Sequence, residues 1–149
     1  MAKLPLPEGH HTVTPGFSVP DAAKVIAFLE SALDAKVVDR YDGPGGSVAH
    51  AEVRLGDSVV MLGEPMPGNS PMPAMLSYYV ADGPAVDRVY QRALENGATS
   101  ITEPQDQFYG YRSATVRDPG GNQWSICAVI EQLTHDEVEQ RMSKMMAGS

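Results

Sequence analysis

His50 and Glu52 stand two residues apart in V-A-H-A-E-V-R-L, so on an extended strand both side chains project to one face. An imidazole beside a carboxylate makes a proton-transfer pair, with His50 as base and Glu52 as its orienter or as an independent acid. The competing reading is that both hydrogen-bond neighbouring strands and only shape a pocket. A second group, Tyr109, Tyr111 and Arg112, follows a loop expected over residues 105–108. Phenols stack on aromatic groups and a guanidinium binds anions bidentately, which suits recognition at a cavity mouth. Arg112 equally suits an ion pair with Asp106 or Asp118 that would fix the hairpin. His10 and His11 fall in an N-terminal arm expected to be mobile and without a role, and His135 falls in the first turn of a terminal helix, where it is expected to be solvated. Cys127 sits in an apolar strand pattern, where a buried thiol is ordinary. There is no G-x-S-x-G, no H-E-x-x-H and no cysteine with a matched histidine. The D-P-G-G-N run at 118–122 joins two strands and opens no helix, so it lacks the dipole of a phosphate loop.

The elements that must carry these residues come in two copies. Residues 19–34 and 80–95 align without a gap at an offset of 61, matching Val19 with Val80, Asp21 with Asp82, Val25 with Val86, Ala32 with Ala93 and Leu33 with Leu94. The matches include a helix-capping position and an apolar stripe, and the same offset sets Asp57 on Asp118, so two copies of one unit account for most of the chain. In the first copy, residues 12–19 alternate as a strand and Asp21 is placed to cap a helix with Val25, Phe28, Leu29, Ala32 and Leu33 inward. Strands follow at 37–41, at 48–55 with Ala49, Ala51, Val53 and Leu55 on one face, and at 58–63 after a Gly56-Asp57 turn. In the second copy a strand at 75–80 precedes a helix capped by Asp82 and ended by Asn96-Gly97, then strands at 99–102, 111–117 and 123–130.

The expected architecture is therefore α+β: two tandem βαβββ modules, over 12–64 and 74–130, in a single domain spanning 1–149. A proline-rich linker at 65–73 joins them. A short C-terminal helix at 134–146 starts with a Thr134–Glu137 capping box and carries the stripe Val138, Met142, Met145 and Met146. That stripe should be buried across the domain or on a second subunit.

Modules of about 55 residues are marginal alone, and with 42% hydrophobic residues among 149 they are expected to share one folding unit. A net charge of −8 repels nucleic acids and anionic membranes and mildly favours cationic ligands. One cysteine allows no intramolecular disulfide, no window approaches the ~18 apolar residues of a membrane span, and the N-terminal residues show no targeting pattern. A cytoplasmic protein is expected.

The paired modules, the D-P-x-G-N turn ahead of a W-x-I strand, and the segments H-A-E-V-R-L-G-D-S-V-V-M-L and Y-G-Y-R-S-A-T-V-R-D-P-G-G-N-Q-W together resemble the vicinal oxygen chelate superfamily, with its PhnB-like subgroup nearest, over residues 13–130. That superfamily includes glyoxalase I, extradiol dioxygenases and the bleomycin and fosfomycin resistance proteins. The resemblance implies curled mixed sheets around a cavity and, commonly, a dimer. In the family's metalloenzymes four inward His or Glu side chains, from the first and fourth strands of each module, bind one divalent metal. Carried onto this chain by strand parity, those positions fall on Thr14, Met61, Met75 and Ser125. Hydroxyls and thioethers do not hold such a metal, and a one-residue slip brings no better donors, so no metal site and no cofactor are expected. The expected function is to bind a small organic molecule, aromatic or cationic, as a homodimer without nucleic-acid or membrane partners. Met61, Met75 and Tyr79 would form a soft wall, with Thr14, Tyr109, Tyr111, Arg112 and Ser125 around it. One alternative is a metal-independent isomerase or cyclase using His50 and Glu52. Another is a metal-dependent lyase or dioxygenase.

Overall fold

Alternating apolar residues at 48–63, facing a helix whose stripe recurs every three or four residues, assemble the first module. The computed structural model describes residues 3–148. Its elements begin with β1 (Gly16–Ser18), α1 (Ala22–Leu33), β2 (Lys36–Asp42), a 3-10 turn at Pro44–Gly46, β3 (Val48–Leu55) and β4 (Ser58–Gly63). The strands form an open mixed sheet in the order β1-β4-β3-β2, with β1 parallel to β4 and the other pairs antiparallel. α1 packs on one face, where Val25, Ile26, Phe28, Leu29 and Leu33 are buried together with Ala51, Val53, Val60 and Leu62. The opposite, helix-free face carries Tyr41, His50, Glu52 and Met61.

The structure departs from the sequence pattern at three places in this module. β1 starts only at Gly16, and the preceding residues run as a strap beside β4: the Met61 N–H donates to the Pro15 carbonyl at 2.9 Å and the Val59 N–H to that of Gly9 at 3.1 Å. Pro15 has no N–H for a ladder, and the Thr14 hydroxyl turns back to the His11 carbonyl. Asp21 does not cap α1 with its side chain; it adopts a left-handed backbone at φ 54°, and its carbonyl receives the N–H groups of Lys24 and Val25. Ala49 is exposed rather than inward. The β2–β3 pairing jumps from Tyr41–His50 to Asp42–Val48, and this bulge leaves Ala49 unpaired and turns Val48 into the core. The bulge explains Gly63, where a Cβ would stand 2.5 Å from the Ala49 carbonyl oxygen. Glu64 holds it from the side, its carboxylate accepting the Val48 N–H.

This first compact unit reaches to Ala74 and also takes in the turn Asp118–Asn122. Gly120 lies against Val19 and Val25 so closely that a Cβ would stand 2.6 Å from a Val25 methyl. Buried Asp118 accepts the N–H groups of Gly120 and Asn122 and the Asn122 side-chain amide, while Asn122 accepts the Ala74 N–H at 2.8 Å. The D-P-G-G-N turn is thus a packed anchor as well as a strand connection.

The second unit holds β5 (Met75–Tyr79), α2 (Gly83–Glu95), β6 (Thr99–Asp106), β7 (Tyr111–Arg117), β8 (Gln123–Val129) and α3 (His135–Ala147). Its open sheet has the order β5-β8-β7-β6, which repeats the first sheet's connectivity. α2 packs on β7 and β8, burying Val86, Tyr90 and Ala93 together with Ala114, Val116, Trp124 and Ile126. Here Asp82 does cap its helix, accepting the Ala85 N–H at 2.9 Å, and Gly97 takes the left-handed backbone after the helix end. β6 extends four residues past the expected strand and contains Pro104, which an edge strand with an irregular register tolerates. α3 begins with the expected Thr134–Glu137 box. Its stripe is not buried within the chain: Met142, Met145 and Met146 are exposed, and Val138 is half-buried.

Candidate functional site

Two groups of chemically capable side chains stand on helix-free faces, one in each unit. In the second unit, alternation along β5, β7 and β8 brings Ser77, Tyr79, Tyr111, Thr115, Ser125 and Val129 to the face opposite α2. Tyr79 and Tyr111 meet edge to face at a centroid separation of 5.9 Å, Tyr111 and Tyr109 at 5.2 Å, and Tyr109 and Phe108 at 5.2 Å. Tyr109 and Tyr111 line an open cleft of about 570 Å³ with Val129, Glu131, Gln132, Leu133 and Thr134. Arg141, nearly two turns along α3, clamps Glu131 through two bonds of 2.9 Å and donates to the Phe108 carbonyl. That guanidinium holds the Glu131 carboxyl below its ordinary value despite an opposing desolvation effect, so the cleft wall is an ion pair rather than a lone carboxylate. Tyr79 donates to Tyr111 over a long 3.5 Å contact, and with partial burial this pushes the Tyr79 phenol up to about 12. Beside it, burial raises the Cys127 thiol.

In the first unit, His50 and Glu52 share the helix-free face as the spacing predicts, with His50 Nε2 3.5 Å from Glu52 Oε1. Tyr41 stands opposite His50, its ring tilted at a centroid distance of 6.4 Å, and its phenol donates to Asp39. This bond holds Tyr41 above the usual tyrosine value. His50 and Met61 border a shallow pocket of about 300 Å³ with Gly16, Ser18, Ala49, Gly63 and Glu64. His10 departs from expectation. Its side chain is only 11% exposed, and its Nε2 lies 3.3 Å from the same Glu52 Oε1. Histidine in an N-terminal arm carried no signal of this, because the contact depends on how the strap crosses the sheet. His135 is solvated as expected, beside Glu139.

The remaining sequence candidates divide between these faces and other places. Arg112 does not join Tyr109 and Tyr111. It lies on the α2 side, donating to Asp87 at 2.8 and 3.2 Å and to Asp106 at 3.0 Å, while Asp118 is engaged in its own turn. Thr14 lies ahead of β1, and strand pairing sets Gly16 opposite Met61; likewise Ser77, not Met75, stands opposite Ser125. The shift of two residues keeps the face and changes the register, which alternation cannot specify. Thr14, Met61, Met75 and Ser125 offer hydroxyls and thioethers, and Gly16 and Ser77 add no better donors, so the set does not fit a divalent metal. Among the described residues no group of three or more His, Cys, Asp or Glu side chains is placed to hold one. Missed by the sequence reading were Glu131, Gln132 and Leu133 of the cleft wall, which fall between β8 and α3; the only hint was the capping box that fixes Thr134.

The repeated βαβββ units with parallel first and last strands match a known family. The profile of the Glyoxalase/Bleomycin resistance protein/Dioxygenase superfamily covers residues 10–126, and the chain belongs to that superfamily. It is 35% identical over 147 residues to an uncharacterized protein of Mycobacterium bovis, covering 91% of this chain and 95% of that one. An uncharacterized protein of Mycobacterium tuberculosis H37Rv is equally similar, with 91% and 85% covered. Among solved structures, TioX of Micromonospora sp. ML1 superposes with a TM-score of 0.63 at 20% identity over 83% of this chain and 100% of that one. A PhnB protein of Bacillus cereus gives 0.62 at 15% identity, over 79% and 99%. At these identities the two structures share the fold.

Proposed function

We propose that this chain is a small-molecule-binding member of its superfamily that takes an aromatic or cationic organic ligand without a metal. The observation that carries the reading is the run Tyr79–Tyr111–Tyr109–Phe108, four rings in successive edge contact beside a cleft of about 570 Å³. Such rings offer faces and edges for a flat ligand, and the acidic surface adds attraction for a cation. Ser125 stands with Tyr79 on this face, and Met75 at its exposed end adds an adaptable apolar group. The proposal includes a cytoplasmic homodimer, supported by the exposed methionine stripe of α3.

Fluorescence titration with acridine orange, a planar aromatic cation, tests the cleft. Tyr109→Ala and Tyr111→Ala are expected to weaken binding about ten-fold each, whereas His50→Ala leaves it nearly unchanged. Equal binding by all variants would sink the assignment. A second reading, acid–base catalysis, is favoured by the His50–Glu52 contact on the first sheet. There, His50→Ala would cut turnover by about 10² or more.

A further inference from the structure

The N-terminal strap covers part of the first sheet, and its contacts have the chemistry of a bound ligand. Val59 belongs by alternation to the helix-free face, yet it is buried, because Gly9 lies over it: a Cβ on Gly9 would stand 2.6 Å from a Val59 methyl. From there His10 reaches across β4 to Glu52, which pairs with Met61. The pocket bordered by His50 and Met61 stops short of Glu52, the next residue on the same face, where the imidazole of His10 begins. The other His10 nitrogen, Nδ1, lies 3.3 Å from the Glu8 carbonyl. Both ring nitrogens therefore lie within reach of acceptor oxygens.

The strap is lightly held. Besides His10 it has the two backbone bonds to Val59 and Met61 and an exposed Glu8–Arg54 contact of 3.5 Å, while Leu4 and Leu6 upstream are exposed. Segments with few buried apolar contacts open at low free-energy cost.

We propose that Glu52 and His50 form a second, covered binding site whose resident in this structure is the chain's own His10, and that opening of the strap admits a small nitrogenous cation or N–H heteroaromatic to the Glu52 carboxylate. A ligand that replaces His10 must supply a donor to Glu52 Oε1 and a flat body to lie beside Val59 and Met61. A charged or N–H-bearing ring meets both needs. A neutral hydrocarbon would replace the His10 donor with none and leave the half-buried Glu52 carboxylate only its long contact to His50. This site is independent of the aromatic cleft, since every contact lies within the first unit.

Two measurements test it. In the unaltered protein, carbethoxylation by diethyl pyrocarbonate, followed by peptide mass spectrometry, should modify His10 about ten-fold more slowly than exposed His135, and Glu52→Gln should remove most of that protection. Free imidazole is the binding probe, followed by the ring resonances of His50. His10→Ala should bind it about ten-fold more tightly than the unaltered chain, because no closed strap competes, and adding Glu52→Gln should abolish the shift. His10 reacting as fast as His135 in the unaltered protein would overturn the covered state without reliance on any variant. Identical imidazole responses in all three proteins would overturn the site.

Discussion

Tyr79 shows how one contact sets a residue's chemistry. Its neutral phenol is the donor to Tyr111, so the bond keeps the proton on, and partial burial acts in the same direction. A tyrosine raised from about 10 to about 12 retains in the folded state a proton that the unfolded chain loses. The resulting stabilisation is fully present below about pH 10 and is lost as pH rises through about 12. Alkaline titration of tyrosinate absorbance should show two of the six tyrosines, Tyr79 and Tyr41, lagging the others, and Tyr111→Phe should bring Tyr79 alone back toward the ordinary value. A Tyr79 lag that persists in Tyr111→Phe would exclude the hydrogen bond as its main cause. Alternation made the shared face of Tyr79 and Ser125 legible, and likewise that of His50 and Glu52. The expected Arg112–Asp106 ion pair is present, but no local pattern pointed to the second partner of Arg112, Asp87, which comes from a helix 25 residues earlier.

The two helices that begin the modules occupy equivalent places in the repeat, yet they start differently. Asp82 has extended backbone and a side-chain bond to Ala85, while Asp21 is left-handed and its carboxylate makes no cap bond. Asp82→Ala is therefore expected to lower unfolding stability by about 1 kcal/mol, and Asp21→Gly to cost nothing, since glycine accepts a positive φ freely. Denaturant unfolding of both variants would check this; equal losses would contradict the assignment. The sequence pattern marks both aspartates alike because capping preference is a property of residue type, whereas the backbone at a helix start follows from where the preceding strand delivers the chain. β1 delivers Asp21 after only three paired residues and a strap, which no local pattern describes.

At the scale of the whole molecule, α3 presents an apolar stripe to solvent. Its residues Met142, Met145 and Met146 remain exposed, although the helix is pinned by Arg141 to Glu131. The proposed homodimer would cover them. Sedimentation velocity should then find a species of twice the 16.0 kDa chain, converted to monomer by Met142→Glu with Met145→Glu. A monomer at all concentrations would remove the dimer from the proposal. The same experiment with nucleic acid present should show no association, given the charge of −8.

By itself the sequence determined the repeat, the element types and the face on which most candidate side chains stand. These are consequences of local periodicity and residue chemistry, which any stretch of a dozen residues carries within itself. Tertiary structure alone decided that Gly16 rather than Thr14 meets Met61, that the D-P-G-G-N turn buries Asp118 and Asn122 and lays Gly120 against Val19 and Val25, and that His10 rests on Glu52. Each of these is a contact between segments far apart in the chain, and its geometry depends on how whole strands are stacked and offset rather than on any pattern within them.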